Sequence, residues 1–168
     1  MKLDQFAESI WQQLDITTKT RSDYVSEYRR NLAPSIGQLR INDISKKDIV
    51  ETISRLPPQT AYKSLMVIRT LMREAITRDL KDINPAAQIK PPKIVVKPQK
   101  FLTWDELVEL DFKGQTERIR FLALHGLRFG EAATLNVHDV FDGYVHISRS
   151  KWGETKTPSG VRSVPQLS

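Results

Sequence analysis

Apolar positions in the first part of the chain recur at three- and four-residue steps, the period of one face of a helix. Leu3, Phe6, Ala7, Ile10, Trp11 and Leu14 predict a first helix by that spacing. A second helix, from about Thr18 to Leu32, carries Tyr24, Val25, Tyr28 and Leu32 on one side, and Pro34 with Gly37 is expected to break it. Ser45 followed by Asp48 reads as an N-cap with an acidic first turn, ahead of Ile49, Val50, Ile53 and Leu56. Pro57 and Pro58 open a long fourth helix with the stripe Ala61, Leu65, Ile68, Met72, Ala75 and Ile76. Four such helices close one small core. Asn84-Pro85 ends this unit, because the residue before a proline is pushed out of helical conformation.

The periodicity changes farther along. Thr103 and Glu106 form a capping box before Leu107, Val108 and Leu110, and residues 116–125 and 128–135 look helical. Tyr144, Val145, His146, Ile147 and Ser148 then alternate as a strand after the turn Asp142-Gly143, and residues 161–165 supply its hairpin partner. The expected architecture is mainly α. A four-helix domain (residues 1–85) is followed by a linker (86–100) and an incomplete α+β unit with a β-hairpin (101–168).

Charge changes this picture mainly at the linker. Residues 1–83 hold 14 basic and 11 acidic side chains, residues 84–100 hold 4 and 0, and residues 101–168 hold 8 and 9. The whole chain stands at +6, with a pI near 9.6, which favours an anionic partner, nucleic acid first. Lys90, Lys93, Lys97 and Lys100 lie among Pro91, Pro92 and Pro98 and read either as a solvated tether or as DNA contacts. Extended at about 3.1 Å per residue, such a linker reaches roughly 50 Å, enough to pass around a duplex. The absence of Cys excludes disulfides and thiolate metal sites, and the three His residues show no metal-ligand spacing, so no cofactor is expected. No run approaches the roughly 18 apolar residues of a membrane span. Asp4 and Glu8 interrupt any apolar leader, and the expected location is the cytoplasm.

The run from Leu122 to Val140 contains Gly126-Leu127-Arg128, then Gly130-Glu131, Leu135 and Asp139-Val140. It resembles the first catalytic box of tyrosine recombinases, the phage integrase family. The stretch from Lys156 to Pro165, which includes Gly160-Val161-Arg162, resembles that family's hairpin, whose turn carries a catalytic lysine. The front helices, the Asn84-Pro85 stop, the basic linker and Leu102-Thr103 are similar to its core-binding domain, a SAM-like helical fold, and the junction after it. The resemblance implies a double-stranded recombination site as partner, self-association on DNA with a tetramer in the complete protein, and work beside the bacterial nucleoid.

The chemistry of strand exchange suits these residue types. Attack on a phosphodiester builds negative charge on the nonbridging oxygens, and a guanidinium offers always-charged, planar donors for it. The resemblance gives that role to Arg128, with Glu131 three residues on as its support. A surface ion pair is the plain alternative, but Gly126 and Gly130 beside Arg128 each cost roughly 1 kcal/mol of helix propensity, suggesting close backbone approach. A hairpin lysine protonates the departing 5′ oxygen; Lys156 fits the family pattern and Lys151 remains a rival. His125 reads as a packing residue, and Trp104 as packing rather than base-stacking. Expected DNA contacts in the front unit are Thr18, Lys19, Thr20 and Arg21 at the start of the second helix, and Lys63, Arg69, Thr70, Arg73 and Thr77 on the fourth.

The family's nucleophilic tyrosine has no counterpart: Tyr24, Tyr28 and Tyr62 belong to the front unit and Tyr144 to the first hairpin strand. The sequence therefore reads as the front portion of a recombinase that binds DNA but does not cleave it. The alternative is a naturally shortened, noncatalytic protein that occupies and blocks recombination sites.

Overall fold

The computed structural model describes residues 1–96, 98, 100–151, 153–154 and 158–167. Contacts divide the chain into two units, Met1–Lys97 and Pro98–Ser168. Helices predominate, with a three-stranded antiparallel sheet in the second unit. No helix among the described residues is long and apolar enough to cross a membrane.

The front unit is built from α1 (Leu3–Ile10), α2 (Thr18–Glu27), α3 (Ala33–Ile36), α4 (Lys46–Ser54) and α5 (Pro58–Thr77). The first helix stops at Ile10, earlier than its periodicity suggests, although Trp11 and Leu14 remain buried. Its trailing carbonyls are satisfied by a side chain: the Arg21 guanidinium donates to the carbonyls of Trp11 (2.7 Å), Leu14 (3.1 Å) and Ile16 (3.4 Å).

Pro34 does not break the second helix as expected. A π turn over Tyr28–Leu32 joins α2 to α3, and the Ala33 N–H donates to the Tyr28 carbonyl five residues back. Proline lacks the N–H that an α-helix requires and crowds the preceding turn; the wider π geometry accommodates both. Continuing the helix keeps Tyr28, Leu32 and Ile36 on the core. The stop comes at Gly37, where a Cβ would lie 2.2 Å from the Asp4 carboxylate, so glycine permits the close approach of α1. Asp4 also accepts a 2.6 Å hydrogen bond from the buried Tyr28 hydroxyl.

The Ser45–Asp48 capping box forms as the sequence predicts: Ser45 N–H donates to the Asp48 carboxylate at 2.8 Å, and Asp48 N–H to Ser45 Oγ at 3.3 Å. The Ser45 hydroxyl holds the Asp48 carboxyl below its ordinary range. The long α5 lays Leu65, Ile68, Leu71, Met72 and Ala75 against the other helices. Each such large side chain stabilises the fold by about 1.5–3 kcal/mol.

The unit does not end at residue 85. Asn84 Oδ1 accepts from the Ala86 N–H (2.9 Å), and its Nδ2 donates to the Arg69 carbonyl (3.1 Å). Ala86 and Ile89 are buried in the core. The Arg69 guanidinium donates to the carbonyls of Ala86 (3.0 Å), Ala87 (3.3 Å) and Ile89. A segment of the expected linker is thus packed on the front unit, which shortens any free tether.

In the second unit, α6 (Trp104–Glu109) begins with the expected Thr103–Glu106 capping box. Next, α7 (Thr116–His125) ends at Gly126 in the left-handed region (φ 59°), and a short α8 (Phe129–Ala132) follows. Strands β1 (Val140–Phe141), β2 (Tyr144–Ile147) and β5 (Arg162–Pro165) form the sheet in the order β1-β2-β5. The β1–β2 turn has positive φ at both Asp142 and Gly143, the geometry of a two-residue hairpin turn. Pairing of Val145 with Val164 and of Ile147 with Arg162 puts Val145 and Ile147 on the buried face. A small ribbon of β3 (Arg149–Ser150) and β4 (Gly153–Glu154) lies between the hairpin strands in sequence. His125 packs as expected: Nδ1 donates to the Phe121 carbonyl at 2.8 Å, because Nε2 accepts the Leu167 N–H at 3.0 Å.

Candidate functional site

Arg128 is set by the way α7 ends. Gly126 turns the chain in the left-handed region, the Leu127 N–H donates back to the Leu122 carbonyl (3.0 Å), and Arg128 becomes the extended N-cap of α8. The side chain that Gly126 lacks would meet nothing within 4 Å, so its requirement is the backbone conformation and not a close neighbour. Arg128 and Glu131 are therefore not two residues on one helix face. They are the N-cap and N3 residues of α8, joined by the return half of a capping box: the Arg128 N–H donates to Glu131 Oε2 at 2.9 Å, while the Arg128 Nη1 donates to Oε1 at 2.9 Å.

Exposure separates the pair. The Glu131 side chain is 4% exposed and the Arg128 side chain 77%. A second guanidinium, unexpected from the sequence, completes the cluster. Arg162 on β5 donates from Nη1 to Oε1 (3.1 Å) and from Nη2 to Oε2 (2.9 Å) of Glu131. Arg162 pairs across the hairpin with Ile147 on the buried face, and an inward arginine requires a buried anion. Strand alternation in the sequence puts Arg162 on the face of Val164, but the partner it meets there follows only from the register with β2. The Arg162 fork, followed by the Arg128 N–H and guanidinium, holds the Glu131 carboxyl down to about 2 against burial, which acts upward. Glu131 in return raises the Arg162 pKa.

One carboxylate between two guanidiniums leaves a net positive cluster, with Arg128 turned to solvent and only one of its guanidinium nitrogens partnered among the described residues. Such a group can clamp a phosphate oxygen. Lys151 sits in the β3–β4 turn with its side chain exposed, and its N–H donates to the Gly130 carbonyl at 2.8 Å, inside the Arg128 motif. Lys156 lies outside the described residues.

The front-unit candidates differ in what their side chains meet. Lys19, Thr20 and Lys63 come together, with Tyr24, Arg30 and Tyr62, along a groove of about 630 Å³ between α2 and α5. Tyr24, Arg30 and Tyr62 are not among the expected contacts. Thr18 and Arg21 line an adjoining hollow with Arg29, and Arg30 borders both. Arg21 and Arg69 are committed to main-chain carbonyls and serve the fold. Thr70 and Thr77 donate back along α5, to the Met66 and Arg73 carbonyls, both at 3.1 Å. Arg73 is exposed, as are Lys90, Lys93 and Lys100; Lys97 lies outside the described residues. Trp104 is exposed rather than packed.

Comparison with known proteins follows the same outline. The profile described as phage integrase central domain matches residues 4–91. An integrase of Enterobacteria phage 434 is 25% identical over 161 residues, covering 90% of this chain and 44% of that protein. The chain thus spans less than half the length of this curated relative. Residues 75–356 of lambda integrase, solved as a dimer bound to a COC′ core site, are similar with a TM-score of 0.81 at 19% identity, over 98% of this chain and 62% of that one. Residues 82–397 of the Tn1549 transposon integrase, in complex with circular intermediate DNA, give a TM-score of 0.73 at 20% identity over 99% and 61%. A lambda integrase tetramer bound to a Holliday junction gives 0.72 at 24% identity over 90% and 45%. At these identities the structural likeness is one of fold.

Proposed function

The chain belongs to the phage integrase family, and on that footing we propose that it binds duplex DNA at a recombination site and supplies the first phosphate-clamping arginine of site-specific strand exchange. Residues of the front unit contact the sugar-phosphate backbone along the α2–α5 groove, where Lys63 and Arg30 are the basic groups beside a Lys19 already paired with Asp23 at 2.6 Å, and Glu27 also lines the groove. Arg128 stabilises the charge that develops on the nonbridging oxygens of the reacting phosphate, with Glu131 orienting it from beneath. Lys156 protonates the leaving 5′ oxygen, with Lys151 as the rival for that role. Strand cleavage forms a phosphotyrosine bond that conserves the energy of the broken phosphodiester. None of the four tyrosines of these 168 residues is assigned that step. Tyr28 is buried with its hydroxyl on Asp4, and burial pushes its phenol further up. Self-association on DNA belongs to the same proposal.

The observation that carries this reading is the exposed Arg128 guanidinium fixed on a buried, ionised carboxylate. A footprint on the host attachment region tests it. Protection of a discrete duplex segment, lost steeply as salt rises, is expected. No protection at low salt refutes it.

A further inference from the structure

Among the described residues Glu131 accepts four hydrogen bonds, two from Arg128 and two from Arg162, and the two arginines are not equivalent. Arg162 is 28% exposed and gives Glu131 two nitrogens in a fork, the stronger arrangement, whereas Arg128 is 77% exposed and gives its guanidinium through one. Arg162 also reaches the carbonyls of Gly126 and Gly160, both at 3.4 Å, and so spans the end of α7, α8 and β5.

The charges of the cluster matter more than its bonds. With Arg128 as its only partner, Glu131 would neutralise the guanidinium, and an arriving phosphate would meet a pair of zero net charge. With Arg162 present, these three described residues together stand at one positive charge, and the exposed member is Arg128. We propose that Arg162 is a positioning residue that takes up the charge of Glu131 and so leaves Arg128 uncompensated for a DNA phosphate. This rests on the reading of Arg128 as a phosphate clamp. In the same way the return strand of the hairpin controls a group on α8 that it does not itself bear.

The test uses the full 168-residue chain and a short duplex of mixed sequence, with affinity followed against salt. Each neutralised phosphate contributes about −0.9 to the slope of log K on log salt. Arg128→Ala is expected to make the slope shallower by about 0.9. Arg162→Gln, which leaves Glu131 to neutralise Arg128, is expected to produce the same loss. Arg162→Gln combined with Glu131→Gln removes one charge of each sign and is expected to return the slope to that of the wild type. Arg162→Lys keeps the charge without the fork and is expected to hold most of the slope.

A purely structural arginine gives a different order: the lysine variant falls with the glutamine variant, and the double variant is no better than either single. Because Arg162→Lys perturbs packing least, it keeps the comparison decisive where Arg162→Gln does not fold. A shallow slope in Arg162→Lys, or a folded double variant that stays shallow, overturns the proposal while a response to Arg128→Ala leaves the clamp reading standing. An unchanged slope in Arg128→Ala overturns the clamp reading and this inference together.

Discussion

Replacing Glu131 by Gln should make the second unit lose both stability and its response to acid. The carboxyl sits at about 2 in the folded chain against an ordinary 4.5, held there by Arg162 first and then by Arg128. A displacement of that size corresponds to about 3 kcal/mol at neutral pH, at about 1.4 kcal/mol per tenfold change in proton affinity. Because the folded pKa is depressed, this stability is fully present above about 4.5 and is lost as pH falls toward 2. Glutamine carries no charge and leaves two guanidiniums crowded without a counter-ion, so at neutral pH the loss should be of the same order, about 3 kcal/mol. Urea unfolding of the full chain, followed through the amide signals of Val145 and Val164, isolates the second unit. Wild-type midpoints should fall as pH drops from 5 to about 2.5, and those of Glu131→Gln should start lower and change far less. Parallel pH curves for the two proteins would refute the argument, since the acid response would then belong to other carboxylates.

Arg69→Ala should release residues 86–89 from the front unit, seen as faster amide exchange of Ala87 and Ile89 and earlier proteolysis there; unchanged protection would show that burial of Ala86 and Ile89 suffices without the three carbonyl bonds. Tyr28→Phe leaves Asp4 one buried donor short and should destabilise the front unit by about 1–2 kcal/mol in urea melts, and no change would mean that Gln38 alone satisfies Asp4. In a recombinase polypeptide that joins these residues to the family's tyrosine, a 5′-bridging phosphorothioate should rescue Lys156→Ala but not Arg128→Ala. Rescue of Lys151→Ala in its place would move the general acid five residues upstream.

Much of the fold was legible because local and tertiary preferences agree in it. The Ser45–Asp48 and Thr103–Glu106 boxes, the 116–125 helix, the Asp142-Gly143 turn and the return strand all follow from short-range rules, and the structure has them. The failures occur where packing overrides a local rule. Pro34 signals a stop, but burying Tyr28, Leu32 and Ile36 favours a π turn and a continued helix. Residues 86–89 read as tether by composition, and only the three-dimensional position of Arg69 shows them docked. Arg21 and Arg69 illustrate the matching difficulty for the site: a basic residue on an amphipathic helix looks alike in sequence whether it meets phosphate or a frayed carbonyl. Arg162 is not legible as a site residue, since its role depends on a cross-strand register that no single segment discloses.

Arg128 as a phosphate clamp should meet one particular phosphate of the site. Methylphosphonate substitution, which removes the charge of a single phosphate, can be scanned through the footprinted site with the wild type and with Arg128→Ala. At one position the wild type should lose roughly tenfold in affinity, the ~1.4 kcal/mol expected of a charge-assisted contact, while the variant loses nothing further. Identical interference patterns in the two proteins would contradict it.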